Sequence, residues 1–215
     1  MPLQWILLDI DNCLYNGLNP DGSFTEYKQS MRNADEAWAV ILTKDLAGLR
    51  SYRQKRAEEV GMDKSLLEFL FIKTGKEYGI DQLATHRNGP NGYKPEQFLK
   101  SDPELVACLG NLQNAGYKIA ALTDNPAGKR VLTVLGLLPK IIKEEFVFDS
   151  TRMGMLKNKE FYKNVLEILA AQANEAIMFG DSLSSDIIPA EAVGIKGQYA
   201  KNRDELMQHL CALLK

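Results

Sequence analysis

From Asp102 onward, short apolar runs alternate with stretches of helical periodicity, and turn residues separate them. Asp102-Pro103 has the form of a helix start, a capping carboxylate followed by a residue suited to the first turn. Leu105, Cys108, Leu109 and Leu112 then share one helical face, and Gly116 ends that helix. Tyr117–Leu122 reads as a strand ending at Thr123. Pro126 opens a helix through Leu135, stopped by Gly136, and Phe146–Phe148 is a further strand. Residues 158–171 are expected to form a helix with Phe161, Val165, Ile168 and Leu169 as its buried stripe. Ala176–Phe179 is a strand ending at Gly180-Asp181, and 184–193 a helix stopped by Gly194. Ile195–Tyr199 reads as a short last strand, and 203–214 as a closing helix with Leu206, Leu210 and Leu213 inward. Near the start, residues 5–10 (Trp-Ile-Leu-Leu-Asp-Ile) form an apolar run of the kind buried on both faces of a sheet. Strands alternating with helices predict an α/β fold with a doubly wound parallel sheet.

The segment from about 16 to 98 breaks this rhythm. Trp38, Ile41 and Leu42, then Leu66, Phe69 and Leu70, recur at helical spacing with no clear strand between them. Asn88-Gly89-Pro90-Asn91-Gly92 follows as a loop by composition. The segment is therefore expected to be a helical insertion, with 1–15 and 99–215 forming the α/β core. A length of 215 residues suits one domain with a sizeable insertion, since domains commonly run ~100–200 residues.

Charge and cysteine usage exclude several function classes. Twenty-six basic and 28 acidic side chains leave a net charge of −2, which predicts neither a nucleic-acid polymer nor a membrane surface as partner. The apolar stretch Trp5–Leu8 is too short for a signal peptide or a membrane span. Cys13, Cys108 and Cys211 are odd in number and widely spaced, as expected of reduced thiols. Together these features predict a soluble, cytoplasmic protein; oligomeric state is left open. His86 and His209 are the only histidines, which argues against a zinc site or a Ser-His-Asp triad. Acid–base chemistry must then rest on carboxylates or lysine.

In parallel α/β sheets, ligands bind outside the carboxyl ends of the strands. The polar residues at those ends are Asp9 and Asp11, Thr123, and Asp181, with Lys157 just before a helix. Asp9 and Asp11 project to the same side at strand period. Two close carboxylates need a shared proton or a cation, and magnesium prefers carboxylate oxygen. Asp9 could attack phosphorus to give an aspartyl-phosphate, with Asp11 protonating the leaving oxygen and later activating water. An Asp-x-Asp pair is also what a solvated strand end or helix cap looks like. The apolar run before it tips the balance, because buried ionised groups are costly unless paired or metal-bound. Thr123 suits a donor to a phosphoryl oxygen and equally a cap of the following helix. Lys157 suits a charge partner for Asp9 and also an ordinary exposed lysine. Asp186 reads either as a helix-dipole partner or as a support for the metal or Lys157.

Leu-Leu-Asp9-Ile10-Asp11-Asn12-Cys13-Leu14 resembles the first motif of the haloacid dehalogenase superfamily. Thr123, Lys157 and Gly180-Asp181…Asp186 stand where its later motifs would fall, in order. The resemblance covers about 3–15 and 100–200 and implies a Rossmann-type core. It implies Asp9 as nucleophile and magnesium ligand, and Asp11 as acid/base that also offers the metal its backbone carbonyl. It further implies phosphate binding by Thr123, Asp124 and Lys157, with Asp181 completing the Mg2+ site and Asp186 supporting it. The insertion at 16–98 is similar to the family's small helical cap, which closes over the site. Asp124 stands where the family often has Asn, Asn158 where it often has Pro, and Cys13 where Thr is usual. Asp-Ile-Asp-Asn-Cys-Leu-Tyr, with Glu77-Tyr78-Gly79, is similar to pyrimidine 5′-nucleotidases of the superfamily.

The expected activity is thus a magnesium-dependent phosphatase acting on a small phosphorylated metabolite, such as a nucleoside 5′-monophosphate. A phosphomutase would use the same core. A 2-haloacid dehalogenase would need no acid at Asp11. A non-catalytic binding protein is favoured only by the extra charge of Asp124.

Overall fold

A computed structural model of the chain describes residues 3–43, 92–150, 152–153 and 155–215, the side chains of 35–43 excepted. Leu66, Phe69, Leu70, Glu77-Tyr78-Gly79, His86 and residues 88–91 lie outside the described residues, as do the side chains of Trp38, Ile41 and Leu42. By compactness the chain divides into one unit of Met1–Thr25 with Pro95–Lys215, and a second of Glu26–Lys94. In the second unit, helix α1 spans Glu26–Thr43.

The first unit is an α/β sandwich. Its strands are β1 (Trp5–Asp9), β2 (Lys118–Thr123), β3 (Val147–Asp149), β4 (Ala176–Gly180) and β5 (Lys196–Tyr199). They form one parallel sheet in the order β3-β2-β1-β4-β5. The strand order reverses at β1, where a crevice opens at the carboxyl ends in doubly wound sheets. Every residue of β1 and β4 is buried, as a central strand covered on both faces requires. Trp5 and Leu7 join Ala120, Leu122, Met178 and Phe161 in one apolar layer. Ile6 and Leu8 alternate to the opposite face and are fully buried there.

The longer helices of this unit are α2 (Pro103–Asn114), α3 (Gly128–Val134), α4 (Lys159–Leu169) and α5 (Arg203–Ala212). The cap expected at Asp102 is present, its side chain accepting from Leu105 N at 3.0 Å. Leu105, Cys108, Leu109 and Leu112 are buried along α2, and Leu206 and Leu210 along α5. Leu213 lies just past α5 and is only half-buried.

Three local expectations are corrected. Phe146 belongs to a short 3-10 turn, and β3 begins at Val147. The inward stripe of α4 is Phe161, Tyr162, Val165, Leu166 and Leu169, so Ile168 falls past its edge and is 60% exposed. The helix expected over 184–193 is instead a wide π turn, Leu183–Ile187, and one further turn, Ile188–Glu191. Pro189 has no N–H to complete a regular ladder, and Ile187 N reaches back five residues to Ser182 O at 3.2 Å. Among the described residues, no helix is long and apolar enough to cross a membrane.

Candidate active site

Register brings the expected residues to one rim. Leu8 pairs with Phe179 and Asp9 with Leu122, so Asp9, Gly180 and Thr123 end three adjacent strands at nearly one level. Asp181 follows immediately. Asp9, Thr123, Lys157 and Asp186 are all buried, although each carries a polar or charged side chain.

Lys157 sits in the loop before α4 and is 7% exposed, which removes the ordinary-surface-lysine alternative. Its Nζ is 2.6 Å from Asp9 Oδ1 and 2.5 Å from Asp186 Oδ1. The next residue fixes that position. Asn158 caps α4, its Oδ1 accepting from Glu160 N at 3.0 Å and Phe161 N at 3.2 Å. A side-chain cap thus starts this helix where the family often has Pro.

Asp186 is held by the wide turn. Its Oδ2 accepts from Ser182 N at 3.0 Å, while Oδ1 takes no aligned hydrogen bond and is left to the Lys157 ion pair. Gly180 makes this possible: a Cβ there would lie 2.5 Å from the Asp186 carboxyl. Gly128 plays a similar part for Thr123, whose Cγ2 would lie 2.8 Å from a Cβ at that position.

Carboxylate oxygens of Asp9, Asp181 and Asp186 lie within 4.8 Å of one another. Asp181 Oδ2 also accepts from Asn12 Nδ2 at 2.8 Å. Asn12 adopts a left-handed backbone (φ 61°), which asparagine tolerates, and turns the chain between Asp11 and Cys13.

Asp11 stands outside that trio. β1 ends at Asp9, so Asp11 lies in the following turn. Its Oδ1 accepts from Tyr15 Oη and, at 3.1 Å, from Asn125 Nδ2. The sequence reading assigned no role to Tyr15 or Asn125. Tyr15 is four residues past Asp11, a spacing that one helical turn would bring together. Asn125 is buried, and its Oδ1 accepts from Ala127 N at 2.9 Å, so its amide is oriented from both sides. Thr123 Oγ1 accepts from Asn125 N at 2.9 Å, which leaves its O–H to donate. Asp124 follows at the same rim, half-buried, and its charge acts on Lys157.

Electrostatics follow from crowding several carboxylates around one ammonium. Burial holds the Asp9 carboxyl well above its ordinary range; Lys157 pulls it down, while Asp186 and Asp11 push it further up. Asp181 is likewise raised by burial, with Asn12 opposing and Asp186 adding to the rise. Burial disfavours charged Lys157, but Asp9 and Asp186 outweigh it and hold the ammonium above its ordinary value. Such a cluster carries excess negative charge that a bound cation would neutralise. The donors are all hard carboxylate oxygens within 4.8 Å of one another, so the residues present fit a magnesium-sized ion.

Cys13 is fully buried, with Sγ 3.8 Å from Phe179 O. Burial raises its thiol well above the ordinary value, and Asp9, Asp186 and Asp181 raise it further. This is a packed thiol, unsuited to nucleophilic attack.

A family model for haloacid dehalogenase-like hydrolases matches residues 3–194. Two curated proteins match in part: glyceraldehyde 3-phosphate phosphatases of Pyrococcus abyssi, 28% identical over 104 residues, and of Methanocaldococcus jannaschii, 29% identical over 117. These matches take in 48% and 50% of this chain and 44% and 50% of those proteins, so the chain spans about half the length of the curated relatives it matches. A solved 2-haloacid dehalogenase from Pseudomonas syringae shares the fold, with a TM-score of 0.60 at 15% identity over 99% of this chain and 100% of that one.

Proposed function

The chain belongs to the haloacid dehalogenase-like hydrolases, and from that premise we propose that it is a magnesium-dependent phosphatase of small phosphorylated metabolites. One observation carries the reading. Three carboxylate oxygens lie within 4.8 Å of one another at the carboxyl ends of β1 and β4, with a buried ammonium 2.6 Å from the one on the central strand.

Asp9, Asp181 and Asp186 would hold Mg2+, with Asp11 offering its backbone carbonyl. When bound, the ion supplies positive charge between an anionic side chain and an anionic substrate. The chain's own groups account for the chemistry. Asp9 attacks phosphorus, forming a carboxylate O–P bond as the ester P–O bond breaks. Asp11 gives its proton to the departing oxygen, then takes one from the water that attacks the aspartyl-phosphate and frees Asp9. Tyr15 and Asn125 keep the Asp11 carboxyl aimed. Lys157 offsets charge on Asp9 and on the transferring group, while the Thr123 hydroxyl and the adjoining Asp124 segment line the phosphoryl oxygens. A cavity of about 300 Å3 opens beside Thr123, lined among others by Asn125, Lys129, Arg152 and Ile168.

The matched relatives are named for a three-carbon sugar phosphate, which supports the small-metabolite class. The test is phosphate release from a panel holding triose phosphates, hexose phosphates and nucleoside 5′-monophosphates, with Mg2+ and with a chelator. Metal-dependent release that disappears in Asp9→Asn supports the reading. No release from any substrate with Mg2+ present overturns it.

A further inference from the structure

Two of the three cysteines meet away from the candidate site. Cys108 lies on α2 and Cys211 on α5. The helices share their N-terminal ends, where Arg203 Nε and Nη2 donate to Asp102 Oδ2 and Oδ1 at 2.9 and 3.0 Å. Arg203 Nη2 also reaches Glu104 Oε2 at 2.7 Å. Cys108 is six residues past Asp102 and Cys211 eight past Arg203. At ~1.5 Å of rise per residue, the two cysteines stand within about one helical turn of the same level along the paired helices. There the Cys211 thiol is near enough to act on that of Cys108.

The two are differently placed. Cys211 is exposed, whereas Cys108 is 6% exposed. The Cys108 thiol is pushed up to about 11 by burial, with Cys211 and Glu104 adding to the rise. It is therefore a neutral thiol near pH 7 and a poor initiator of attack, but it lies within reach of its neighbour.

We propose that Cys108 and Cys211 form a reversible intramolecular disulfide, a modification site that joins α2 to α5 when the protein meets a peroxide. The Cys211 thiolate attacks one peroxide oxygen, the O–O bond breaks, and the departing hydroxide takes up the thiol proton as water. This leaves a sulfenic acid on Cys211. Cys108 sulfur then attacks Cys211 sulfur, the S–O bond breaks, and hydroxide leaves with the Cys108 proton as a second water. Two thiols lose two electrons and the peroxide gains them. A small dithiol reverses the bond by exchange.

The experiment treats the full reduced chain with stoichiometric hydrogen peroxide, then counts thiols after denaturation and measures intact mass. The expected result is a fall from three thiols to one, a mass lower by two hydrogens, and a cross-linked peptide pair carrying Cys108 and Cys211. Melting should rise by at least ~5 °C, since the bond closes a long loop, and return to its start with dithiothreitol. Cys211→Ser, a change at an exposed position, should keep both remaining thiols and show no melting shift. Cys108→Ala should leave Cys211 to gain oxygen atoms. The proposal is overturned if the wild-type chain keeps three thiols, gains oxygen at Cys211, or links into dimers with Cys108 still open to alkylation.

Discussion

Lys157 Nζ lies between Asp9 Oδ1 at 2.6 Å and Asp186 Oδ1 at 2.5 Å, so one buried ammonium ties the end of β1 to the wide turn after β4. Lys157→Met leaves two buried carboxylates facing each other without their counter-charge. Breaking a buried pair from one side costs ~3–5 kcal/mol, so the melting temperature should fall markedly. On the proposed function, turnover should fall by ~10²-fold or more, since a preorganised charge beside the transferring group would be lost. Melting curves with Mg2+ and steady-state rates on an aryl phosphate check both outcomes.

On the proposed mechanism, Asp9→Asn keeps the shape of the side chain and removes the attacking oxygen. Turnover should fall by at least ~10⁴-fold, with circular dichroism unchanged. A variant that retained even a tenth of the wild-type rate would take Asp9 out of the reaction.

Gly180→Ala tests the seat of Asp186. The added methyl would meet the Asp186 carboxyl at 2.5 Å and must displace it. Overpacking of this kind costs ~1–3 kcal/mol. The magnesium concentration for half-maximal activity should rise, and Asp186→Asn should raise it in the same direction. An unchanged requirement in both variants would place the metal elsewhere.

Tyr15→Phe removes one donor to Asp11 and leaves the Asp9, Asp181 and Asp186 trio untouched. The rate should drop by ~10-fold with the magnesium requirement unaltered, because the proposed role of Tyr15 is to aim Asp11 as acid/base. Asn125→Ala should do the same and also loosen the turn after β2, where its Oδ1 accepts from Ala127 N.

Stability should depend on pH through Asp102. Burial raises its carboxyl, but the Arg203 hydrogen bonds and the Leu105 N–H outweigh it, leaving the group below its ordinary value. A depressed carboxyl contributes stability that is present above the unfolded value near ~4 and is lost as pH falls through the folded value. Asp102→Ala should cost ~1 kcal/mol at pH 7 through the lost cap, and this difference should shrink below pH ~4. Urea melts of both proteins across that range measure it.

The strands and the polar residues at their tips were legible because a buried strand announces itself as an apolar run, and the next polar residue must then sit at its end. Asp9, Thr123 and Asp181 were found this way. Ile168 misled for the opposite reason: a helix edge and a helix stripe differ by a fraction of a turn, which composition alone does not resolve. The break in the ladder at Pro189 was visible as a proline, but the wide turn that seats Asp186 depends on how Ser182 and Gly180 pack. Tyr15 and Asn125 carried too little signal, since each serves the site by reaching Asp11 across a turn or between strands. The helical insertion rested on periodicity alone, and most of its residues lie outside those described.

Because Asp9, Thr123 and Asp181 stand at or just past the ends of three adjacent strands, the proposed chemistry occupies one end of the sheet and leaves the other idle. At the idle end, Gln4 Nε2 donates to Glu175 Oε1 at 3.1 Å and Gln4 N to Glu175 O at 2.8 Å, which closes the seam between β1 and β4. An engineer seeking to immobilise the protein, add a reporter or raise its heat tolerance has that end to redesign, and the chemistry at the far rim gives no reason to avoid it.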